Sequence, residues 1–218
     1  MKFRKTKFFL LSTLITVSIS ITACDSTTDP VSNSSAESLY MANIVGGIDV
    51  YDLSDSEAAA LIFMREEEKL ARDVYTKFYE TYELKIFNNI NSSEQKHMDA
   101  IKFLLDSYEL EDPVGDNEIG EFENEELQEL YNALLEQGHE SLVAALEVGG
   151  IIEEVDIIDL LDYIEEVDDN LDIISVYINL EKASEQHLRA FVRNLAARGV
   201  TYEPHFLDQE TYNRIINP

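Results

Sequence analysis

The sequence predicts an all-α protein whose folded part is a four-helix bundle with one short extra helix. Three observations lead to this prediction. Only 8 glycines and 4 prolines occur in 218 residues, and apolar residues beyond position 50 recur at helical spacing. No clear run of alternating apolar and polar residues indicates a strand. Helix-capping signals also divide this region into segments of helical length.

The first two long helices each follow a predicted capping box. Ser-Asp-Ser-Glu at 54–57 starts a helix that runs to about Tyr82. Ser-Ser-Glu-Gln at 92–95 starts a second helix that runs to about Tyr108. The Asp-Pro-Val-Gly sequence at 112–115 then breaks the chain.

A short helix separates these two helices from the other long pair. Asn124 caps the short helix, which ends at Gly138. The third long helix covers about 141–167, and the fourth covers about 170–198 and stops at Gly199. The natural arrangement of four such helices is a bundle, with the short helix between the second and third long ones.

The first 23 residues predict a secretory signal peptide of the lipoprotein type. Four basic residues precede an apolar run at 8–21, which is too short to span a bilayer comfortably. Ile-Thr-Ala-Cys at 21–24 resembles the bacterial lipobox, which implies cleavage before Cys24 and diacylation of its sulfur. We therefore expect a membrane-anchored lipoprotein of the cell envelope, facing the periplasm or the exterior.

The composition changes again after the signal. Residues 24–50 begin with a stretch rich in Ser, Thr, Asp and Asn, which predicts a flexible linker behind the lipid anchor. Residues 51–218 form one domain of ordinary size. Cys24 is the only cysteine, which excludes a disulfide framework and a thiolate metal site.

The charge balance is strongly acidic and restricts the partners. The chain has 16 basic and 44 acidic residues, and its formal net charge is −28. No basic face remains to neutralise phosphates, so we exclude nucleic acid as a partner. The same charge disfavours electrostatic binding to anionic lipid, and the lipid on Cys24 is then the expected membrane contact.

Ionisable residues interrupt the apolar stripes of the first two long helices. On the first helix, Glu67 lies in the middle of the stripe and Glu68 lies at its edge. On the second helix, Glu94 and His97 both lie within the stripe. Their spacing of three residues puts the two side chains on one face, where they could bind a common ion or neighbouring ions.

The third and fourth long helices repeat this pattern. Glu153 lies at the centre of an apolar stripe with Glu154 beside it, and Ser184 and His187 lie inside the stripe of the fourth helix. Buried carboxylates would repel one another, and divalent cations would relieve that repulsion. Arginines reaching across helix faces are the alternative way to satisfy the glutamates. Four helices that each contribute inward polar groups favour the metal site.

This arrangement resembles the ferritin-like superfamily over residues 54–199. More closely, the runs at 65–75, 93–98, 148–157 and 187–191 resemble an uncharacterised bacterial and archaeal family of ferritin-like domains. The superfamily resemblance implies a ferritin-like four-helix bundle with bound iron or manganese and chemistry with oxygen or peroxide.

Two departures from the superfamily pattern leave the ligand set open. Ser184 stands where the pattern has a glutamate, so the site would hold two ions, or one if Ser184 weakens the second position. The pattern also favours Glu68, three residues before Ala71, whereas the helical stripe favours Glu67. The candidate metal ligands are therefore Glu67, Glu68, Glu94, His97, Glu153, Glu154 and His187.

Three functions agree with these observations. The first is a redox metalloenzyme, an oxidoreductase that uses iron or manganese to act on oxygen, peroxide or ferrous iron. The second is a module that binds metal without turnover. The third is a metal-free interaction domain on a lipid anchor, whose acidic surface binds a basic partner. The expected partners are metal ions, a small oxidant and the membrane, and association as a homodimer is a further option.

Overall fold

The computed structural model describes residues 52–218, and the predictions for the signal peptide (1–23), the linker (24–50) and Cys24 lie outside this range. Within it the protein has six α-helices and no strand, which confirms the predicted all-α class. The helices are α1 (Asp55–Tyr82), α2 (Lys85–Ser107), α3 (Glu125–Gly138), α4 (Leu142–Glu166), α5 (Leu171–Ala196) and α6 (Gln209–Ile216). None of these six is both long and apolar enough to cross a membrane.

The four long helices form two antiparallel hairpins that pack into one bundle. Glu83, in the left-handed region at φ 50°, and Leu84 turn the chain from α1 into α2. A connection at 167–170 turns α4 into α5. The connection from α2 to α4 contains α3, which packs against α1 and α4. Because α2 and α4 run in the same direction, this connection returns along the length of the bundle.

Local sequence accounts for most helix ends, and one prediction was wrong. The capping box at the start of α1 is present, with reciprocal hydrogen bonds between Ser54 and Glu57. The second predicted box, at 92–95, lies inside α2, which begins at Lys85 without a side-chain cap. Phe87 and Ile90 in the added turns are buried against the core, so tertiary packing extends the helix beyond its local start signal.

Two apolar clusters occupy the two ends of the bundle and leave a polar layer between them. One cluster includes Tyr75, Phe78, Phe87 and Phe191 and extends over α3 and α6. The other includes residues from the N-terminal half of α1, the C-terminal halves of α2 and α4 and the N-terminal half of α5, and these are Leu61, Met64, Ile101, Leu104, Leu105, Leu160, Val176 and Tyr177. Ionisable side chains of all four long helices meet between these clusters.

The glycine pair in α4 allows aromatic rings to approach the helix closely. A Cβ on Gly149 would lie 2.4 Å from the ring of Phe191, and one on Gly150 would lie 2.6 Å from the ring of Tyr202. Any larger residue would push these rings away. The pair therefore fixes the distance between α4 and its neighbours one turn before the polar layer begins.

Candidate metal centre

Glu94 of α2 lies at the middle of the polar layer and faces two histidines. Its Oε2 atom is 2.7 Å from Nδ1 of His97 on the same helix. Its Oε1 atom is 3.0 Å from Nδ1 of His187 on α5. The two imidazole rings are stacked, with centroids 5.7 Å apart. The Glu94 carboxylate therefore belongs to two similar groups of side chains. One of its oxygens faces His97, and the other faces His187.

A further glutamate completes each group. Oε2 of Glu68 on α1 is 3.1 Å from Nδ1 of His97, and Oε2 of Glu153 on α4 is 3.3 Å from Nδ1 of His187. In each group one ligand atom per residue can be chosen so that all lie within 4.8 Å of one another. Two overlapping sets of two carboxylates and one imidazole result, and both have the composition of a divalent-cation site.

Several carboxylate oxygens in this layer lack a hydrogen-bond donor. Oε1 of Glu68 and Oδ1 of Asp156 are buried and accept no hydrogen bond. Burial raises the pKa of Glu68 to about 7, and repulsion from Glu94 adds to the increase. Burial, with repulsion from the carboxylates of Glu68 and Glu153, raises the pKa of Asp156 well above its usual value. The layer therefore holds more negative charge than its own cations neutralise.

The two histidines respond to this excess of carboxylate. Burial alone would lower the pKa of His187, but the carboxylates of Glu94 and Glu153 outweigh burial and raise it to about 10. The carboxylates of Glu68 and Glu94 likewise raise the pKa of His97 well above its usual value, against the effect of burial. Protons on the imidazoles then balance part of the charge. A divalent cation could replace those protons, because metal binding displaces protons from its ligands.

The structure separates the two pairs of neighbouring glutamates that the sequence left open. Glu68, rather than Glu67, lies beside His97. Glu67 is also buried, but it lines a small cavity between α1, α3 and α4. In α4, Glu153 faces His187, whereas Glu154 points to the opposite side of the layer. There it accepts hydrogen bonds from the Tyr202 hydroxyl and from the backbone N–H groups of 205–207.

Two further residues of the layer, Asp156 and Tyr75, are not among the candidate ligands predicted from the sequence. Asp156 is buried and accepts a hydrogen bond from the Ser184 hydroxyl. The available signal was its spacing of three residues from Glu153, which puts both on one helix face. Tyr75 of α1 donates a hydrogen bond to Oε1 of Glu153 at 2.5 Å.

A small apolar cavity adjoins this layer. It has a volume of about 30 Å³, enough for one or two molecules the size of water. Leucines, isoleucines and an alanine supply most of its lining, and Asp156 and Glu67 contribute the polar atoms. The cavity therefore adjoins the polar layer on the side of Asp156.

The fold and the site define a class of protein: an all-helical bundle whose interior carboxylates and imidazoles could hold metal ions. A family model described as "Uncharacterized protein domain (DUF2202)" matches residues 57–218. The chain belongs to the DUF2202 family. All of the ionisable residues described above fall within the matched range.

A relative in this family comes from an archaeon. The chain is similar to "Uncharacterized protein MJ0754" of Methanocaldococcus jannaschii, with 48% identity over 177 residues that cover 81% of this chain and 95% of the relative. It is also similar to the crystal structure of hypothetical protein MJ0754 from Methanococcus jannaschii, with a TM-score of 0.77 and 47% identity. That similarity covers 79% of this chain and 98% of the solved one.

Proposed function

We propose that this domain is a ferritin-like metal-binding protein that holds two iron or manganese ions in the polar layer of its bundle. The observation that carries the proposal is the position of Glu94. Its two oxygens face two histidines from different helices, as a carboxylate that bridges two ions would. The single long connection between the hairpins is also the connectivity of ferritin-like bundles.

The residues present fit such a centre. Glu68, Glu94 and His97 would hold one ion, and Glu94, Glu153 and His187 would hold the other. Carboxylate and imidazole ligands suit iron and manganese. The unpartnered oxygen of Glu68 supports this fit, because an ionised oxygen buried without a donor or a cation is costly.

The protein's own residues would orient the ligands and control access to the ions. Bound iron or manganese would supply the one-electron chemistry with oxygen or peroxide. The Tyr75 hydroxyl of α1 donates to Glu153 of α4 and would fix the orientation of that carboxylate. The apolar clusters on both sides of the layer exclude bulk water, and the small cavity beside Asp156 admits a molecule of the size of dioxygen or peroxide.

Elemental analysis of protein produced with added iron or manganese tests the metal site. We expect nearly two equivalents of metal in the wild type and a large loss in Glu94→Gln, which keeps the shape of the side chain but removes its charge. Glu165→Gln, an exposed change on α4, is the control and should keep its metal. Fewer than ~0.3 equivalents in the wild type would contradict the proposal, because a di-metal site inside a bundle should be nearly filled.

A metal-binding role without turnover is the second candidate. Ser184 favours it, because a serine at this position of α5 leaves the centre without one of the carboxylates of the superfamily pattern. Oxidation of added ferrous iron and consumption of hydrogen peroxide by the metal-loaded protein distinguish the two candidates. Rates above those of the Glu94→Gln variant identify an oxidoreductase, and equal rates identify a storage, delivery or structural site.

We also propose that a lipid on Cys24 anchors the domain to the cell envelope. The support is the sequence at 21–24 and the basic and apolar segments before it. Metabolic labelling with palmitate in a bacterial host should mark the wild-type protein and should not mark Cys24→Ser. Equal labelling, or an unlabelled wild type, would contradict the anchor.

A further inference from the structure

Asp156 of α4 lies in the polar layer but belongs to neither of the two groups around Glu94. It follows Glu153 by one helical turn, and only 6% of its surface is exposed. Its Oδ2 atom accepts a hydrogen bond from the Ser184 hydroxyl, while its Oδ1 atom has no hydrogen-bond partner. No arginine or lysine forms an ion pair with it among the residues that the structure describes.

The charges nearest Asp156 are negative. The carboxylates that repel it most strongly are those of Glu68 and Glu153, one from each of the two metal-ligand groups. Asp156 lies one helical turn after Glu153 on α4 and contacts Ser184, one helical turn before His187 on α5, so along both helices it adjoins residues of the second group. A buried carboxylate among other carboxylates requires either a proton or a cation.

The serine at position 184 leaves α5 without a carboxylate, and Asp156 lies where it could supply one. Ser184 and His187 on α5 have the same spacing as Glu94 and His97 on α2. On α2 that spacing places Glu94, the carboxylate that would bridge two ions, beside His97. On α5 the Ser184 hydroxyl is too short to reach the same position and carries no charge. Asp156 reaches Ser184 from the neighbouring helix and brings a carboxylate to the position that α5 leaves without one.

We propose that Asp156 is a further metal ligand that substitutes for the carboxylate missing from α5, with the Ser184 hydroxyl as its positioning group. This inference rests on the proposed metal site. It makes the centre a set of four carboxylates and two imidazoles. The second carboxylate between the two ligand groups would then come from α4 rather than α5. It lies next to the small apolar cavity that Asp156 lines.

Calorimetric titration of the metal-free full-length protein with Mn²⁺ tests the role of Asp156. We expect two ions per wild-type chain and, in Asp156→Asn, a loss of affinity for at least one ion that exceeds the roughly 10–100-fold typical of residues that only support a ligand. The partly exposed Asp162→Asn change on the same helix is the matched control and should bind like the wild type. Glu94→Gln should lose both ions.

A rescue variant and a stability measurement separate ligation from folding. Asp156→Asn combined with Ser184→Glu should recover most of the lost affinity, because the carboxylate then comes from α5. The metal-free Asp156→Asn protein should unfold at a temperature no lower than the wild type, because it loses a buried carboxylate that has no cation partner.

The possible results distinguish the role of Asp156 from the metal site on which that role depends. Wild-type affinity in Asp156→Asn together with weak binding in Glu94→Gln would overturn the role of Asp156 and leave the metal site standing. Absence of Mn²⁺ and Fe²⁺ binding in the wild type would overturn both. If Asp156→Asn loses affinity and the added Ser184→Glu does not restore it, Asp156 does not substitute for a carboxylate at position 184.

Discussion

Within two turns of α1, most buried charged side chains have ion-pair or hydrogen-bond partners, but one carboxylate lacks them. Arg65 donates to both carboxylate oxygens of Asp112 and to the Met98 carbonyl. Lys69 has no exposed side-chain surface, yet it donates to Asp73 at 2.6 Å and to the Glu118 carbonyl. These charges are paired and hydrogen-bonded, as buried charges in proteins generally are.

Glu68 lies between these two residues and lacks such partners. One of its oxygens faces His97, and the other accepts no hydrogen bond. By contrast, its neighbour Glu66 accepts hydrogen bonds from two backbone N–H groups at the start of α3, those of Glu123 and Asn124. The same segment of helix therefore provides partners for Glu66 and for the two cations, and it leaves one oxygen of Glu68 without a donor.

The neighbouring glutamates of α4 repeat this contrast. Glu154 accepts hydrogen bonds from a tyrosine hydroxyl and three backbone N–H groups. Glu153 accepts a hydrogen bond from the Tyr75 hydroxyl but otherwise faces His187 and its acidic neighbours. Since the chain supplies arginine, lysine or backbone donors to other buried carboxylates, the shortage in the polar layer marks a place for cations. The predictions below test this difference between the two regions.

The largest effect should come from adding divalent cations, which the polar layer could hold. Divalent metal at a thousand times its dissociation constant stabilises a folded protein by about 4 kcal/mol, which corresponds to roughly 10 °C in melting temperature for a domain of this size. We expect this increase with Mn²⁺ in thermal unfolding of the wild type and a much smaller one in Glu94→Gln. Equal shifts in both proteins would mean that the metal acts elsewhere.

The next effect should come from breaking a region that is already satisfied. Asp112→Ala leaves the Arg65 guanidinium buried without its carboxylate and should cost about 3 kcal/mol in urea unfolding. Asp116→Ala, an exposed change in the same connection, should be nearly neutral. Both variants should keep the metal content of the wild type. Loss of metal in Asp112→Ala would show that the two regions are coupled.

The fold was predictable from the sequence because each long helix carries an apolar stripe along its length, with only a few ionisable residues in it. The exceptions arose where packing outweighs local signals. The 92–95 box was overridden by the burial of Phe87 and Ile90, and α6 was missed because it is a short helix in a polar tail. Its two buried residues, Tyr212 and Ile215, pack against the rest of the core.

The candidate site was predictable by helix but not always by residue. The spacing of Glu94 and His97 identifies one face, and the structure places both there. The helical stripe favoured Glu67, whereas Glu68 is the residue beside His97, because both are buried and only the position of the neighbouring helix decides which one meets His97. The spacing of three residues puts Asp156 on the same face of α4 as Glu153, but its contact with Ser184 of α5 is not contained in that pattern.

The dependence of stability on pH should have opposite signs in the metal-free and metal-bound proteins. The folded pKa of Glu68, about 7, lies above its usual 4.5, and that of His187, about 10, lies above its usual 6.5. Their contributions to stability are fully present below the usual values and are lost as pH rises through about 7 and then about 10. Each additional proton held by the folded state gives a slope of about 1.4 kcal/mol per pH unit.

Urea unfolding between pH 6 and 8 tests this reversal. The free energy of unfolding of the metal-free protein should fall across this range. The stabilisation added by Mn²⁺ should rise, because fewer protons then compete for the ligands. A parallel response of the two forms would contradict the exchange of protons for cations in the polar layer.

The smallest effect should come from Tyr202→Phe. Glu154 loses the tyrosine hydroxyl but keeps its backbone N–H donors, so we expect a cost of about 1 kcal/mol in urea unfolding and unchanged metal content. Tyr79→Phe, on the outer face of α1, is the control and should be neutral. A cost above about 3 kcal/mol would mean that Glu154 is less well satisfied than its hydrogen bonds indicate.

Anomalous X-ray diffraction at the manganese absorption edge, from crystals grown with Mn²⁺, tests the central claim most directly. The account predicts two peaks inside the bundle, one beside Glu68 and His97 and the other beside Glu153 and His187, with Glu94 within ligand distance of both. Peaks confined to surface carboxylates, or an interior without a peak in crystals that contain bound manganese, would contradict it.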